Sequence, residues 1–274
     1  MNFTNRTFGI EIEAKGLTFS SVEQLLANEG LDVYQTNYMD HSTSSTRWKV
    51  KPDGSVSNGF EVVSPILQGE AGIAQVRLVL DTLDRAGAFV DKQCGIHVHF
   101  GVSDWGLKEF KNIFKQYIKY ETALDAVQPR SRRENNGSYC QGFTHVTNAQ
   151  WFERIDRCRD LSNLRYQLGM DVYSRRYRKL NIDAFWAHGT IEFRHHAGSL
   201  SSQKVEAWLR LCSGMMQQAD ALIQVRGWGG GFQEGYTAEY KLGYLLERLL
   251  KNKAIDTATS RYMKKRARAF GYVA

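Results

Sequence analysis

Four short segments of the chain alternate between apolar and polar positions, which is the pattern of a strand with one buried face. The clearest covers residues 94–100, in which His97 and His99 alternate with three apolar side chains. Because side chains on a strand point alternately to its two faces, both imidazoles lie on the same side. The segment therefore predicts a strand that packs one face on a core and presents two nitrogen ligands on the other.

Three further segments, residues 8–13, 59–65 and 190–196, share this pattern with charged side chains among the polar positions. Each has apolar residues on the opposite face, so each also predicts a half-buried strand. We expect the polar faces of the four strands to line one common funnel. The polar positions of the three additional strands are Glu11 and Glu13 in the first, Glu61 in the second, and Glu192, Arg194 and His196 in the third.

Helical spacing of apolar residues predicts helices that cover this sheet. Two more strands are predicted at 31–34 and 47–51, and a turn of the sequence Pro-Asp-Gly-Ser after the second makes it a hairpin partner of the strand containing Glu61. This hairpin brings Lys51 close to Glu61. The predicted helices span residues 20–28, 69–87, 103–127, 149–168 and 201–225, and the remainder of the chain is predicted to be helical.

Three segments depart from these patterns. Residues 129–147 contain several arginines without an apolar period, which fits either a mobile lid over an anionic ligand or a solvated loop. Residues 175–181 form a basic, strand-like run in which Arg176 and Arg178 share a face. We expect this run to pair with the strand at 190–196, beside the funnel. The glycine-rich residues 228–232 predict a hinge.

Composition favours one folded domain. The chain has 274 residues, of which 42% are hydrophobic and 24% charged, with only three prolines and no repeat or low-complexity linker. We predict a single α+β domain over residues 1–274, with a core at about 7–225 and a helical C-terminal extension at 236–270. Its sheet is expected to be covered by helices. The net charge of +7 is compatible with an anionic partner but also with a solvated surface.

The four cysteines show neither a CxxC pair nor a metal-binding spacing. Free thiols in a reducing cytoplasm are the simplest interpretation, and a nucleophilic Cys140 beside His145 is an alternative. The N-terminus lacks the apolar run of a signal peptide, and no apolar stretch is long enough to cross a bilayer. We therefore expect a soluble cytoplasmic protein without a membrane partner.

Four glutamates and two histidines that face one space require a cation, because like charges at short range would otherwise keep some carboxylates protonated. Carboxylate oxygen favours Mg²⁺ or Mn²⁺. Zinc is disfavoured, because structural zinc sites use cysteine and histidine at tighter spacings. Arginines on neighbouring strands suit a phosphate bridged by such a metal.

These motifs together resemble a known family. The order and character of four stretches are similar to those of the amidoligases of the glutamine synthetase/glutamate–cysteine ligase superfamily, over about residues 7–215. The resemblance implies a curved antiparallel sheet forming a funnel, with ATP at one end and Mg²⁺ ions in the middle. The stretches read FGIEIE, WKVKPDGS…GFEVVSPIL, CGIHVHF and TIEFRHHAGSL.

The resemblance also implies a role for each site residue in an ATP-dependent ligase that forms an amide through an acyl phosphate. The substrates would be a small-molecule or peptide carboxylate and an amine. The chain lacks the separate N-terminal domain of the synthetases, so no multimeric ring is implied. The implied roles are one metal on Glu13 and Glu61, a second on Glu11, His97 and the catalytic Glu192, transferred phosphate on His99 and Arg194, and nucleotide phosphate on Arg178, with Arg176 and Lys51 as further candidates.

Other functions stay open on the residues alone. The same funnel could serve a metal-dependent hydrolase or phosphotransferase, which would form no amide. The basic C-terminal residues 261–268 could bind nucleic acid, although a solvated helix is the simpler interpretation and we do not expect nucleic acid as a partner. A degenerate site is disfavoured, because a lost site has no physical reason to keep seven polar groups facing inward.

Overall fold

A computed structural model describes residues 5–133, 139–144, 146–169, 175–226 and 235–273, the side chain of Arg175 excepted. The chain forms two compact units, each built from separated stretches of sequence. We call residues 2–101 with 192–209 the sheet unit, and residues 102–191 with 210–274 the helical unit. Whether they fold as the single domain expected from composition stays a prediction.

Residues up to Gly101 supply most of the sheet unit. They form β1 (Thr7–Lys15), α1 (Phe19–Asn28), β2 (Val33–Gln35), β3 (Trp48–Lys51), β4 (Gly59–Val63), β5 (Leu67–Gln68), α2 (Gly69–Arg85) and β6 (Gly95–Gly101). The rest of the chain forms α3 (Leu107–Asp125), a 3₁₀ turn (Arg130–Arg132), α4 (Asn148–Arg157), α5 (Leu161–Gly169), a second 3₁₀ turn (Arg175–Tyr177), β7 (Leu180–Asn181), α6 (Asp183–His188), β8 (Thr190–Ala197), α7 (Ser202–Ala221), α8 (Ala238–Lys251) and α9 (Thr257–Ala269).

The strands of the sheet unit lie in the order β2-β3-β4-β1-β6-β8, with β5 beside β1. The β2–β3 pair is parallel, whereas β3–β4, β4–β1, β1–β5 and β1–β6 are antiparallel. The sheet is therefore mixed, and the expected predominance of antiparallel pairs is confirmed for these pairings. The four strands predicted to line one funnel are consecutive neighbours in it. The curvature of a funnel stays a prediction.

The apolar face of this sheet is buried as the alternating pattern predicts. Ile10, Ile12, Val62 and Val98 each expose 1% or less of their surface. Helix α2 packs close to β1 at Gly72, where an added Cβ atom would lie 2.9 Å from the ring of Phe8. The opposite face of the same strands carries the polar residues, so the burial of one face fixes the direction of the other.

The helical unit is built around α3, most of whose residues are buried. The prediction of one helix over 149–168 is wrong, because the chain is extended at Cys158 and α4 ends there. Asp160 directly precedes α5, and its carboxylate accepts a hydrogen bond from the amide of Asn163 at 2.7 Å. An aspartate at such a position is a helix start signal that the apolar period concealed.

The basic run at 175–181 is not a continuous strand. It forms a 3₁₀ turn followed by the two-residue strand β7, with Arg178 in an isolated parallel bridge to Gln141. Helix α6 and strand β5 were not predicted. His145, part of the arginine-rich loop and the hinge at 228–232 lie outside the described residues.

All four cysteines are free and buried, as the simplest interpretation of their spacing expects. None of the helices in the described ranges combines the length and apolar character that spanning a bilayer requires.

Candidate metal and phosphate site

Strand register places the polar side chains of the sheet unit in adjacent rows on one face. Glu11 of β1 lies opposite His97 of β6. Glu13 lies opposite Glu61 of β4, which in turn lies opposite Lys51 of β3. Because paired positions on neighbouring strands bring side chains on the same face within about 5 Å, this register alone assembles a charged cluster.

The imidazole of His97 lies among three carboxylates from β1 and β8. Its Nδ1 atom is 2.8 Å from Glu11 Oε2 and 3.6 Å from Glu192 Oε1. Its Nε2 atom is 3.6 Å from Glu13 Oε1. The second oxygen of Glu13 accepts a hydrogen bond of 2.6 Å from the amide of Gly95, which fixes this carboxylate at the start of β6.

His99 and Arg194 adjoin the same carboxylates. His99 Nε2 lies 3.4 Å from Glu11 Oε1 and 3.7 Å from Glu192 Oε1. Arg194 Nη1 donates to Glu192 Oε1 at 2.5 Å. The carboxylate of Glu192 therefore lies between the imidazole of His99 and the guanidinium of Arg194.

A third carboxylate joins Glu13 and Glu61 at the other end of the cluster. Asp53, in the turn after β3, offers an oxygen within 4.8 Å of oxygens from both glutamates. Its Oδ1 atom accepts a hydrogen bond of 2.6 Å from the amide of Ser55. Lys51 lies 3.1 Å from Glu61 Oε2.

The two ends of the cluster differ in charge. Burial raises the pKa of Glu61 well above its usual range, the nearby charge of Glu11 raises it further, and the ammonium of Lys51 only partly opposes this. Burial would also raise the pKa of Glu11, but its contacts with His97 and His99 hold it well below the usual range. A cation bound beside Glu61 would favour the ionised carboxylate and so oppose this rise in its pKa.

At the β8 end, opposite charges dominate over burial. Burial acts to raise the pKa of Glu192, but Arg194 and the two histidines hold it below the usual carboxylate range. For His99, burial favours the neutral ring, whereas Glu192 and Glu11 raise its pKa above the usual value. The arrangement thus favours a charged imidazole beside an ionised carboxylate.

The donor atoms suit a hard divalent cation. Within the described residues, three groups each place their ligand atoms within 4.8 Å of one another: Glu13–Asp53–Glu61, Glu11–His99–Glu192 and Glu11–Glu61–His97. Carboxylate oxygens predominate in all three, which matches Mg²⁺ or Mn²⁺ better than a thiolate metal.

The structure thus brings together eight of the ten predicted site residues, all of which lie in the sheet unit. They are Lys51, Glu11, Glu13, Glu61, His97, His99, Glu192 and Arg194.

The other two predicted residues, Arg176 and Arg178, belong to the helical unit. Arg178 is 2% exposed and its guanidinium donates to the carbonyl oxygens of Leu168 and Gly142. It also lies over the rings of Phe143 and Trp151, at 4.6 and 5.5 Å from their centroids. The assigned contact of both arginines with a nucleotide phosphate stays a prediction.

Asp53 is the residue of this cluster that the sequence patterns missed. The patterns assign Asp53 only to a turn, because of the composition of residues 52–55. Its position could have indicated the role, because it lies two residues after Lys51, at the end of a hairpin whose other strand carries Glu61. A hairpin returns the chain beside itself, so a carboxylate at the turn can reach the row formed by the two strands.

Comparison with known proteins gives one family and a fold likeness. The sequence model of the family described as "Putative amidoligase enzyme" matches residues 4–216. No curated protein matches the chain. The crystal structure of a bifunctional glutathione synthetase from Pasteurella multocida is similar over 97% of this chain and 47% of its own, at 12% identity and a TM-score of 0.52.

A second solved structure, the complex between the prokaryotic ubiquitin-like protein Pup and its ligase PafA, is similar over 97% of this chain and 63% of its own. The identity is 11% and the TM-score 0.42. The chain spans less than two thirds of the length of either structure. At these identities the first likeness supports a shared fold alone.

Proposed function

The chain belongs to this amidoligase family, and from that premise we propose that it is an ATP- and Mg²⁺-dependent ligase that joins a carboxylate to an amine. The observation that carries the proposal is the cluster on the polar face of the sheet unit. There, several carboxylates place their oxygen atoms within 4.8 Å of one another, and Arg194 and His99 lie next to them. A complex of a divalent cation with phosphate needs both features, because the carboxylates bind the cation and the positive side chains bind the phosphate.

The cluster offers ligands for two cations. Glu13, Asp53 and Glu61 would hold one of them. Glu11 and Glu192 would hold the other with His97, whose Nδ1 atom lies 2.8 Å from Glu11 Oε2 and 3.6 Å from Glu192 Oε1. Bound Mg²⁺ would neutralise the phosphate oxygens and make the terminal phosphorus more electrophilic.

The proposed reaction has two steps. A substrate carboxylate oxygen attacks the γ-phosphorus of ATP, the bond from that phosphorus to the bridging oxygen breaks, and ADP leaves with the electron pair. The resulting acyl phosphate is attacked by the amine nitrogen, the carbon–oxygen bond breaks, and phosphate leaves as the amine gives up a proton. The products are an amide, ADP and phosphate.

Arg194 and His99 would serve the first step. The guanidinium of Arg194 is oriented by Glu192, so it can meet the negative charge on the transferred phosphoryl group without reorganisation. The raised pKa of His99 favours the imidazolium, which can donate to a phosphate oxygen. We propose small-molecule or peptide carboxylates and amines as substrates.

Calorimetric titration with ATP tests the nucleotide site. We expect binding by the wild type in excess Mg²⁺, no binding in EDTA, and loss of the Mg²⁺-dependent binding in Glu192→Ala. The control is Glu153→Ala, which removes an exposed carboxylate of the helical unit and should leave ATP binding unchanged. Absence of binding by the wild type with Mg²⁺ and ATP in excess would contradict the proposal.

Product analysis separates a ligase from a hydrolase or phosphotransferase that uses the same residues. Candidate carboxylates and amines are screened with ATP and Mg²⁺ by mass spectrometry. A ligase releases ADP only when both substrates are present and forms a product whose mass equals their sum less one water. Turnover of one substrate without ATP would favour a hydrolase.

A further inference from the structure

Two lysines of β3 point to the face of the sheet unit that carries the carboxylates, but only one of them meets the cluster. Lys51 contacts Glu61, whereas Lys49 turns to the loop of residues 36–46, which we call the Tyr38 loop. The side chain of Lys49 is 3% exposed. Its ammonium lies 3.2 Å from Asp40 Oδ1 and 3.1 Å from Ser42 Oγ, and it also donates to the carbonyl oxygen of Ser42.

The Tyr38 loop is held at both ends as well as by Lys49. The amide of Thr36 donates to the carbonyl of Val50 at 3.0 Å, and the amide of Ile66 donates to the carbonyl of Ser44 at 3.0 Å. The loop is therefore attached to the sheet unit at three places along its length.

Hydrogen bonds within the Tyr38 loop keep the carboxylate of Asp40 ionised. The hydroxyl and amide of Ser42 donate to Asp40 Oδ1 at 2.6 and 2.9 Å. These bonds from Ser42 hold the pKa of Asp40 well below its usual range. A buried ammonium needs a charged partner, and Asp40 supplies that charge to Lys49 across the neutral pH range.

Between these anchors, Tyr38 lies next to the turn that contains Asp53. A Cβ atom on Gly54 would lie 3.2 Å from Tyr38 Cε2 and 3.3 Å from its hydroxyl oxygen. Gly54 is not among the glycines with a left-handed backbone, so its small size matters here for this close approach. The ring of Tyr38 thus lies close to Gly54, the middle residue of the Asp53–Ser55 turn.

We propose that the Tyr38 loop positions Asp53 beside Glu13 and Glu61, with Lys49 as its anchor and Tyr38 as the contact with the turn. This inference rests on the proposed function, because the cation that Asp53 would help to hold is the one assigned there. Tyr38 and Lys49 are positioning residues that act through Asp53. Groups that orient a metal ligand in this way typically alter metal affinity by about 10–100-fold.

Mn²⁺ affinity of the full chain, measured by electron paramagnetic resonance without ATP or substrates, is the readout. We expect Tyr38→Ala and Gly54→Ala each to raise the Kd for Mn²⁺ about tenfold, the lower end of the range for groups behind a metal ligand. Tyr38→Phe keeps the ring and should leave the Kd unchanged. In an Asp53→Ala background, Tyr38→Ala should cause no further loss, because a residue that acts through Asp53 has nothing left to position.

Lys49 is tested by Asp40→Ala and Lys49→Met, which should weaken Mn²⁺ binding to a similar extent. The matched control is Asp32→Ala, because Asp32 forms an exposed ion pair with Arg47 next to the same strand. That variant should bind Mn²⁺ as the wild type does. If Lys49→Met does not fold, Gly54→Ala and Tyr38→Ala still decide the outcome.

The outcomes separate the two proposals. Wild-type Mn²⁺ affinity in Tyr38→Ala and Gly54→Ala overturns the positioning role and leaves the proposed function standing. An equal loss in Asp32→Ala, or an additional loss on removing Tyr38 from Asp53→Ala, also overturns it, because the effect would then not pass through Asp53. A wild type that binds no Mn²⁺ at millimolar concentration overturns both.

Discussion

Lys179 has no exposed surface, and its ammonium lies between two buried carboxylates of α3. It is 3.0 Å from Glu121 Oε1 and 2.6 Å from Asp125 Oδ1. The other oxygen of Glu121 accepts a hydrogen bond of 2.8 Å from the amide of Phe143. Burial would lower the pKa of Lys179, but the two carboxylates raise it above the usual lysine value. This group joins α3 to the segments around Phe143 and β7 within the helical unit.

Lys179→Met should destabilise the protein by about 3–5 kcal/mol at pH 7, because it leaves two buried carboxylates without their cation. Burial already raises the pKa of Glu121, and Lys179 only partly opposes this. In the variant that pKa rises further, so protonation relieves the repulsion and the loss should shrink as the pH falls from 7 to 5. Urea denaturation at both pH values measures the difference.

In the wild type, Lys179 makes the free energy of unfolding fall as the pH rises into the alkaline range. The stabilisation from the raised lysine pKa is fully present below the ordinary value of 10.5 and is lost as the pH rises beyond the folded value. Lys265→Met, an exposed position on α9, is the control and should change the unfolding free energy by less than about 0.5 kcal/mol. A loss in Lys179→Met that is the same at pH 5 and pH 7 would contradict the electrostatic explanation.

Single residues also show where sequence reasoning stops. Alternation of apolar and polar residues places Glu11, His97 and Glu192 on one face, because a strand has a side-chain period of two. The pattern holds no information on which of several lysines meets which carboxylate. Lys49 and Lys51 are equivalent in the pattern, yet one contacts Asp40 and the other Glu61. That difference depends on the path of a loop with no periodicity.

At the level of elements, strands with a strong alternation were predicted with small errors. The strand predicted at 8–13 lies within β1, which spans Thr7–Lys15, and the strand predicted at 47–51 differs from β3 by one residue. Short elements such as β5 and α6 were missed, because two to six residues are too few to show a period. The register between neighbouring strands could not be predicted from the sequence, although this register places Glu13 opposite Glu61.

That register requires a glycine at the start of β4. Gly59 lies opposite Lys15 of β1, and a Cβ atom there would be 2.4 Å from Val56 Cγ1 and 2.8 Å from the carbonyl oxygen of Ala14. The carbonyl belongs to the neighbouring strand, so it can move only if β1 and β4 separate. The close approach of the two strands is thus a condition for the carboxylate row.

Gly59→Ala should therefore lower the free energy of unfolding by about 1–3 kcal/mol, the usual cost of overpacking. The comparison is Gly243→Ala in α8, where nothing lies within 4 Å of the added carbon. A helix-interior alanine should raise the free energy of unfolding by about 0.5–1 kcal/mol there. Urea titration of both variants measures the contrast, and equal effects would argue against a steric cause at Gly59.

On the scale of the whole molecule, the family resemblance noted in the sequence is confirmed by a family match over residues 4–216. Four motifs in a fixed order identify a family because each depends on the others for its chemistry. The division into a sheet unit and a helical unit could not be predicted, since both units combine distant stretches of the chain.

Divalent cations should stabilise the whole protein if the carboxylate cluster binds them. Ligand bound only to the folded state adds about 2.7 kcal/mol at a concentration 100 times its Kd. We expect the Tm to rise with added Mn²⁺ relative to EDTA, and the rise to be much smaller in Glu61→Ala. Thermal unfolding followed by circular dichroism measures this. An equal rise in Glu61→Ala would place the cation elsewhere.

The order of the strands has a consequence for synthesis on the ribosome. Strand β6 lies between β1 and β8 in the sheet, but β6 ends at Gly101 and β8 begins only at Thr190. At ordinary translation rates the two are separated by on the order of 5–20 s. During that interval the nascent chain presents an unpaired strand edge to its surroundings, next to carboxylates that still lack Arg194. Until β8 emerges, this edge is a template on which a strand of another chain can pair.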